Sequence, residues 1–527
     1  MKKHYSIWLD NEENIKFPHV KDGIKVDVAI IGGGIVGITA GLMLKKKGFK
    51  VAIIESKRIC SDVTGSTTAK LTISSNLIYN QLLSNFGIET ALKFKDSNIL
   101  AFNRISKIIN ENKIDCDYKK LPLYIYSTDK NNFKDIEKEY DAIKKLNIDA
   151  DLIDDFQLPY EKSFKEINEQ NKTTIIKNNI SDSDNKIINK AIRYNKQAQF
   201  HPKKYCNGLA KLISGNGSYI FEKSKAINIE EGKTNKIITE KGNIFCDDII
   251  IATNSPIYDP NSTVSYMNPI KSYMLGVYVK EKIPEAMFVD INPFHTYRKT
   301  QNNNNNNNNN KDLLIIAGEH HITGHGEDTN EHYKKLIEFT KKKFNIESIE
   351  YFWSDQDNRT ADGLPVIGET SQKGIYLATG FSSWGLVKAT LAGIILKDLI
   401  SNKENKYAKI FSPNRFKKEK SIKKKCMSNF NKKDLNQEEL KLLNEELLNL
   451  KKDEAKIIKI NNRRISLYKD LKSKIFVLQA NCTHFGCPLS WNSAEKTWDC
   501  PQHGSIFDYK GNSIHGPAIK DLKDYLN

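Results

Sequence analysis

The chain has 527 residues, long enough for two or three domains, and its 39% hydrophobic and 9% aromatic residues are ordinary for a globular protein. A formal net charge of +17 is typical of nucleic-acid-binding proteins, but lysine is frequent along the whole sequence and no basic face with interleaved aromatic residues accompanies it. We therefore expect no nucleic-acid partner.

The N-terminal region gives no sign of export or membrane insertion. Residues 1–17 contain no apolar core of a signal peptide. The apolar stretch 28–44 is marginal in length for a membrane span, and its glycines favour a turn. The eight cysteines show no paired spacing before residue 482, so we expect reduced thiols and a cytoplasmic protein without a transmembrane segment.

Residues 26–55 predict a strand, a glycine-rich turn, a helix and a second strand. Gly32, Gly34 and Gly37 form a G-x-G-x-x-G motif directly after the first strand. Glycines let the backbone approach a pyrophosphate, and the helix N-terminus presents free N–H groups to it. Glu55 ends the second strand, where a carboxylate can accept hydrogen bonds from a ribose diol. These features together predict a dinucleotide site.

Alternating strand and helix patterns continue to about residue 400. Residues 246–256 and 374–381 each read as a buried strand that ends in a loop, and residues 385–400 predict a helix. The asparagine run at 301–310 predicts a surface loop without function.

Several further motifs decide which dinucleotide is bound. The segments "SKRICSDVTGSTTAKLT", "DGLPVIG" and "GIYLATGFSSWGLVKATLAG", together with "FHPKKYCNGLAKLI" and "YAKIFSPNRF", resemble the FAD-dependent oxidoreductases of the D-amino-acid oxidase/glycine oxidase superfamily. The resemblance covers about residues 24–416 and implies an enzyme with FAD as its cofactor. It also implies that Ser66, Thr67 and Thr68 contribute to FAD binding.

In that superfamily the segment corresponding to Gly380–Gly385 places a helix N-terminus near the flavin ring. Family members oxidise a C–N bond by hydride transfer to the flavin, which supplies the difficult chemistry. A second nucleotide fingerprint is missing from the sequence, so NAD(P)H is disfavoured as the reductant. The resemblance therefore implies a small-molecule substrate, an amine or an amino acid.

The resemblance also implies two interleaved domains. An α/β Rossmann-like FAD-binding domain would comprise about 24–100, 191–256 and 351–416. An α+β substrate domain would comprise about 101–190 and 257–350.

The residues that touch the substrate are less defined. Many relatives place an arginine shortly before the "DG-x-P-x-IG" motif to hold a substrate carboxylate. Here Arg359 lies closer to Asp362 than that spacing, and Asp357 occupies the expected place, so Arg359 has either a substrate role or a surface one. The histidine-rich stretch 318–332 matches no defined metal site and favours a loop or the rim of the substrate cavity. We nominate no catalytic side chain.

The last part of the chain reads as a separate module. Residues 417–453 predict a linker rich in lysine, with one helical candidate at 437–450. Residues 454–527 show short strands and turns, which predict an all-β domain.

Two Cys-His pairs lie in this module: Cys482-x-His484 and Cys500-x2-His503. Four such ligands could hold one structural zinc. However, "CTHFGC" and "CPQHGS" resemble the two cluster-binding loops of Rieske domains. That resemblance implies a [2Fe–2S] cluster in which the two cysteines bind one iron and the two histidines bind the other.

Two departures from the respiratory Rieske pattern affect the expected reduction potential. Cys487 is present, but Gln502 occupies the position of its disulfide partner, so no disulfide clamp is expected. Ser505 can donate a hydrogen bond to the cluster, whereas Phe507 replaces a tyrosine donor. Fewer donors lower the potential, so we expect a value in the lower part of the range of about −150 to +300 mV.

The combination predicts a dehydrogenase. A flavin takes two electrons as hydride and an iron–sulfur cluster passes them singly, so an external electron acceptor, a protein or a quinone, would drain the cluster. Two other functions stay open: an O₂-using amine oxidase with a tail that relays no electrons, and a redox carrier or sensor without its own small-molecule substrate.

Overall fold

The computed structural model describes residues 4–10, 15–156, 189–301, 312–326, 328–416, 435–461 and 463–526. The described residues exclude 302–310 of the predicted asparagine loop. They also exclude 417–434, the first part of the predicted linker. No helix in the described part of the chain has the length and hydropathy of a membrane span. The helices are α1 (Ile35–Lys46), α2 (Val63–Ser66), α3 (Ile78–Glu111), α4 (Phe133–Lys145), α5 (Pro202–Ile213), α6 (Thr329–Lys343), α7 (Gly385–Ile400), α8 (Ala408–Phe411) and α9 (Gln437–Leu448).

The strands form four sheets. They are, in chain order, β1 (Ile24–Ile31), β2 (Val51–Ile54), β3 (Lys70–Leu71), β4 (Lys119–Ser127), β5 (Ala150–Asp154), β6 (Lys190–Gln199), β7 (Tyr219–Phe221), β8 (Ala226–Glu230), β9 (Asn235–Thr239), β10 (Asn243–Ile251), β11 (Met267–Val279), β12 (Met287–Ile291), β13 (Phe294–Gln301), β14 (Asp312–Ile322), β15 (Ile346–Thr360), β16 (Val366–Glu369), β17 (Ile375–Thr379), β18 (Glu454–Ile460), β19 (Arg463–Lys469), β20 (Ile475–Gln479), β21 (Ser490–Asn492), β22 (Thr497–Asp499), β23 (Ile506–Asp508) and β24 (Ser513–His515).

The first sheet has the order β16-β17-β10-β1-β2-β7, with β8 and β9 attached to β10. Strands β17, β10, β1, β2 and β7 run parallel. Val28 and Ile30 pack into the core that includes residues of α1 and α7, whereas Ala29 and Ile31 pack into a second cluster. Both faces of β1 are therefore buried, as its unbroken apolar sequence requires.

The second sheet has the order β15-β11-β14-β13-β12-β4-β6-β3 and is mostly antiparallel, with β5 paired to β6. Strands β6 and β15 lie in this sheet, whereas the sequence-based division grouped residues 191–199 and 351–360 with the FAD-binding part. The physical reason is that the chain runs from β6 directly into α5, which packs on α1 beneath the first sheet. One continuous segment therefore contributes to both domains. The exact domain limits stay a prediction.

The C-terminal module contains a three-stranded sheet of β18–β20 and a four-stranded sheet of β21–β24. Helix α9 falls within the predicted linker, yet it belongs to this module in its packing. Its Leu443 is buried in one cluster with Leu467 of β19 and Val477 of β20. Asn436 and Glu439 form a capping box that fixes where the helix begins.

A buried carboxylate fixes the start of α3, which is kinked at Gly87. Glu139 of α4 is fully buried and accepts hydrogen bonds from the backbone N–H groups of Tyr79 and Asn80, at 3.0 and 2.8 Å. These donors belong to the first turn of α3, which leaves them without partners in the helix. Burial raises the pKa of Glu139 to about 7, and the two hydrogen bonds partly offset this rise.

Replacing Glu139 by alanine should lower the free energy of unfolding by about 2–4 kcal/mol, because two buried donors lose their acceptor and a cavity is left. Urea unfolding followed by circular dichroism measures the loss. Lys138→Ala on the same helix is the control, since its ion pair with Asp135 lies on the surface and should contribute little. Equal stability of the two variants would contradict the capping role.

Candidate functional site

A cavity of about 460 Å³ lies where the carboxyl ends of β1, β2 and β10 meet the second sheet. The predicted glycines shape its floor. Gly32 has a φ of +113°, and a Cβ there would lie 2.5 Å from the carbonyl oxygen of Ala252. A Cβ at Gly37 would lie 2.0 Å from the carbonyl oxygen of Gly32, so the helix can approach the turn only without a side chain at this position.

The turn is fixed by acceptors from the next two elements. Glu55 follows β2, lines the cavity and accepts a hydrogen bond from the N–H of Gly33 at 2.8 Å. Thr64 of α2 accepts one from the N–H of Ile35 at 3.0 Å, directly beside Gly34, which caps α1. Burial raises the pKa of Glu55. The structure thus holds a helix N-terminus open toward the cavity, which is the cradle that a pyrophosphate requires.

Ser66, Thr67 and Thr68 all line the cavity. Their backbone carbonyls are held by three side chains from distant parts of the chain, at 2.8, 2.6 and 2.6 Å respectively: Trp353 Nε1, Trp8 Nε1 and Arg298 Nε. The position of this segment therefore depends on tertiary contacts.

The segment before α7 forms another wall. Gly385 begins α7 and lines the cavity, so the positive end of the helix dipole faces into it. Gly380 has a φ of +72° and packs against Thr360, where a Cβ would lie 2.5 Å from Cγ2. Asp357 accepts a hydrogen bond from the N–H of Ser383 and holds this segment to β15.

The structure places a lysine in the cavity that the sequence analysis missed. Lys70 of β3 lines the cavity, is 7% exposed, and its Nζ has no hydrogen-bond partner within the described residues. Burial and the nearby Arg298 lower the pKa of Lys70 well below its usual range. Arg359, the candidate of the sequence analysis, is exposed and does not belong to the cavity lining.

The histidine-rich stretch divides between the cavity and its surroundings. His320 lines the cavity, and burial lowers its pKa to about 4, so its imidazole is neutral at pH 7. His295 and His332 each lie 3.5 Å from the carboxylate of Glu319 and lower its pKa. Among the described residues, the four predicted cluster ligands included, no three His, Cys, Asp or Glu side chains surround a single metal position.

The four predicted cluster ligands come from two loops with the same backbone pattern. Cys482 donates its N–H to the carbonyl of Cys487, and Gly486 donates back to the carbonyl of Cys482, both at 2.8 Å. In the second loop Cys500 donates to the carbonyl of Ser505 at 2.8 Å, and Gly504 donates back to Cys500 at 3.0 Å. Both glycines have positive φ, which the tight turns require.

These loops bring the four side chains together. The rings of His484 and His503 lie 5.2 Å apart, and the Nδ1 atom of each is buried without a partner among the described residues. The thiols of Cys482 and Cys500 are buried and lie close enough to affect each other's pKa. Two sulfurs and two unsatisfied imidazole nitrogens fit the donor set of a [2Fe–2S] cluster, which takes two protein ligands for each iron.

The surroundings agree with parts of the expected pattern. Ser505 lies near the thiol of Cys482 and lowers its pKa, and its hydroxyl accepts the N–H of Ala518 at 3.0 Å. Cys487 is buried beside the ligands and forms no disulfide with any other cysteine that the structure describes.

The second of these loops docks on the second sheet. Gln356 of β15 donates from Nε2 to the carbonyl of Gly504 at 2.8 Å, and Thr323 donates to the Oε1 of Gln356 at 2.7 Å. Lys271 of β11 forms an ion pair with Asp499 at 3.5 Å, and both side chains are buried. The sequence carried no signal for these contacts, because they join residues that lie far apart in the chain.

Comparisons with known proteins agree with both motif resemblances. The family model of FAD dependent oxidoreductases matches residues 27–399, and that of the Rieske [2Fe-2S] domain matches residues 442–526. A putative Rieske 2Fe-2S iron-sulfur protein, YhfW of Bacillus subtilis, is 33% identical over 98% of this chain and 96% of its own length.

Two more distant proteins match the first four hundred residues or so. Gamma-glutamylputrescine oxidoreductase of Escherichia coli is 22% identical over 76% of this chain and 90% of its own length. The crystal structure of glycine oxidase from Geobacillus kaustophilus covers 75% of this chain and 100% of its own, with a TM-score of 0.56 and 18% identity, which shows a shared fold.

Replacing Cys500 by serine should abolish the cluster, because one iron loses a thiolate that serine does not replace. Iron content and visible absorption of the purified protein measure the loss. Cys487→Ser is the matched control: a buried thiol in the same cluster of side chains, outside the four proposed ligands, whose replacement should leave two irons per chain. Full iron content in Cys500→Ser, or zinc in place of iron in the unmodified protein, would contradict the assignment.

Proposed function

The chain belongs to the FAD-dependent oxidoreductases and carries a C-terminal Rieske [2Fe–2S] domain, and from this we propose that it is a dehydrogenase of small amines or amino acids that passes electrons singly through its cluster to an external acceptor. When bound, FAD supplies a two-electron hydride acceptor and the cluster supplies a one-electron carrier. One observation carries the proposal: the loop with His503 and the flavin cavity lie on opposite faces of the same two strands.

The register of β11 and β15 supports this arrangement. Lys271 pairs with Gln356 and Ser272 pairs with Asp355. Ser272 and Asp355 line the cavity, whereas Lys271 and Gln356 contact the segment 499–504 of the C-terminal domain. Because side chains alternate between the faces of a strand, the sheet at this point lies between the cavity and the docked segment 499–504.

This separation favours an electron relay over a tail without a redox role. The layer between the sites is filled by hydrogen-bonded backbone and by buried side chains that include Lys271, Gln356 and Asp357.

The cavity supports a substrate with a carboxylate. A buried ammonium without a partner is costly, so Lys70 calls for an anionic group in the bound state. Arg298 lies nearby, is fully buried, and burial lowers its pKa to about 9. The relatives are named for glycine and for gamma-glutamylputrescine, an amino acid and an amine. We infer that Lys70 binds the carboxylate of an amino-acid substrate.

Anaerobic rapid mixing of the holoprotein with a panel of amino acids and amines tests the function. We expect one class of substrate to bleach the flavin absorbance, followed by the EPR signal of the reduced cluster. Stoichiometric peroxide in air with the cluster remaining oxidised would instead identify an oxidase. If no compound bleaches the flavin while a reduced partner protein does, the chain is a redox carrier.

Replacing Lys70 by methionine should raise KM for an amino-acid substrate by about 10- to 100-fold, the effect of losing one charge-assisted hydrogen bond. KM for the corresponding amine without the carboxylate should change little, and steady-state kinetics on both compounds measure the difference. Lys120→Met, at an exposed position of β4, is the control. A lower kcat with both KM values unchanged would mean that Lys70 acts on the flavin instead of the substrate.

Replacing Gln356 by leucine should slow reduction of the cluster several-fold while substrate reduces the flavin at the original rate. Leucine leaves the carbonyl of Gly504 and the hydroxyl of Thr323 without their partner, which loosens the docked loop. Stopped-flow absorbance resolves the two phases. Gln372→Leu, an exposed glutamine outside both sites, is the control. Equal cluster reduction rates in the two variants would contradict a path through this contact.

A further inference from the structure

The C-terminal domain forms one wall of the FAD cavity. Strand β24 and the residues after it, which we call the closing segment (513–519), contribute Ser513, Ile514, His515, Gly516, Ala518 and Ile519 to the cavity lining. The rest of the lining comes from the oxidoreductase part of the chain. A cavity built for a cofactor of one domain is therefore incomplete without the other.

His515 connects two loops of the oxidoreductase part. Its Nε2 lies 3.3 Å from the hydroxyl of Ser255, and its Nδ1 lies 3.5 Å from a carboxylate oxygen of Asp62. The side chain of His515 is 7% exposed. Asp62 lies in the loop after β2, and Ser255 in the loop after β10.

The sheet order shows what lies beneath this bridge. Strand β1 lies between β2 and β10, so the glycine turn that follows β1 lies between the two loops that His515 joins. That turn, with Gly32 and Gly34, is the cradle for the pyrophosphate. His515 thus spans the pyrophosphate end of the cavity.

The closing segment is tied closely at both of its ends. A Cβ at Gly516 would lie 2.9 Å from the carbonyl oxygen of Ser255, so this part of the segment lies directly against the loop. Lys225 contacts the carbonyl of Ser513 at 3.4 Å and the carboxylate of Asp521 at 3.6 Å. The N–H of Ala518 donates to Ser505, next to the second ligand loop.

We propose that the Rieske domain completes the FAD site, with His515 covering the pyrophosphate turn. FAD then enters and leaves only when the closing segment moves away from the cavity. FAD binding and domain docking are then linked, and each must strengthen the other to the same degree. The proposal depends on FAD binding in this cavity and not on the identity of the substrate.

The release rate of FAD from the holoprotein tests the proposal. His515→Ala should speed release about tenfold, since the segment loses its polar contacts with Ser255 and Asp62. Gly516→Val should do so as well, because a side chain there clashes with the carbonyl of Ser255. Flavin fluorescence after dilution measures the rate. Lys510→Ala, on the exposed surface of the same domain, is the control. Unchanged iron content and cluster EPR in the variants show that the domain is intact.

Hydrogen exchange of the unmodified holoprotein, with FAD bound and after its removal, provides a second test that needs no variant. We expect the amides of 513–519 to exchange faster after FAD is removed, while those of β19 keep their rates. FAD release at the original rate in both variants, or equal exchange of the closing segment in the two states, would overturn the proposal.

Discussion

The relation between the two domains depends on the close approach of Gly504 to β11 and β15. A Cβ at this position would lie 2.6 Å from the Nε2 of Gln356 and 2.7 Å from the Cβ of Pro269, so no side chain fits there. The positive φ of Gly504 also favours glycine at this position. The turn that holds His503 is therefore also the surface that docks, and the position of the cluster cannot vary independently of the position of the sheet.

The cavity and its surroundings contain buried basic side chains. Lys271 is paired with Asp499 and Lys388 donates to the carbonyl of Phe381, whereas Lys70 Nζ and one nitrogen of Arg298 have no partner among the described residues. Such groups are costly in a folded protein unless anionic or polar partners offset the loss of hydration. FAD brings a pyrophosphate, and an amino-acid substrate brings a carboxylate. An anionic group of such a ligand would offset the loss of hydration of Lys70, and ligand binding should stabilise the fold by mass action.

The parts of the site that could be predicted from the sequence are those built within one local segment. The glycine motif and Glu55 follow from one strand-turn-helix unit, and each Cys-His pair arises from one loop, so the FAD-dependent oxidoreductase and Rieske identities were predicted and are confirmed. Lys70, Gln356 and His515 could not be found in this way, because their roles depend on which strands meet across the sheets. Arg359 was a candidate because it precedes the "DG-x-P-x-IG" motif, although closer to it than in relatives, and the strand leaves it exposed. The individual ligand and cofactor residues stay predictions until they are tested.

The matching backbone pattern of the two ligand loops bears on how the iron centre matures. In each loop the backbone groups of the cysteine are already satisfied by residues of the same turn, and amide groups point at the sulfur: that of His484 lies 3.5 Å from the Cys482 sulfur. Such amides favour a thiolate, the form that metals bind. Because the hydrogen bonds that close the two turns use backbone groups, iron could bind the sulfurs without displacing them. Insertion of the iron centre would then add bonds at the sulfurs and leave the hydrogen bonds of both turns in place.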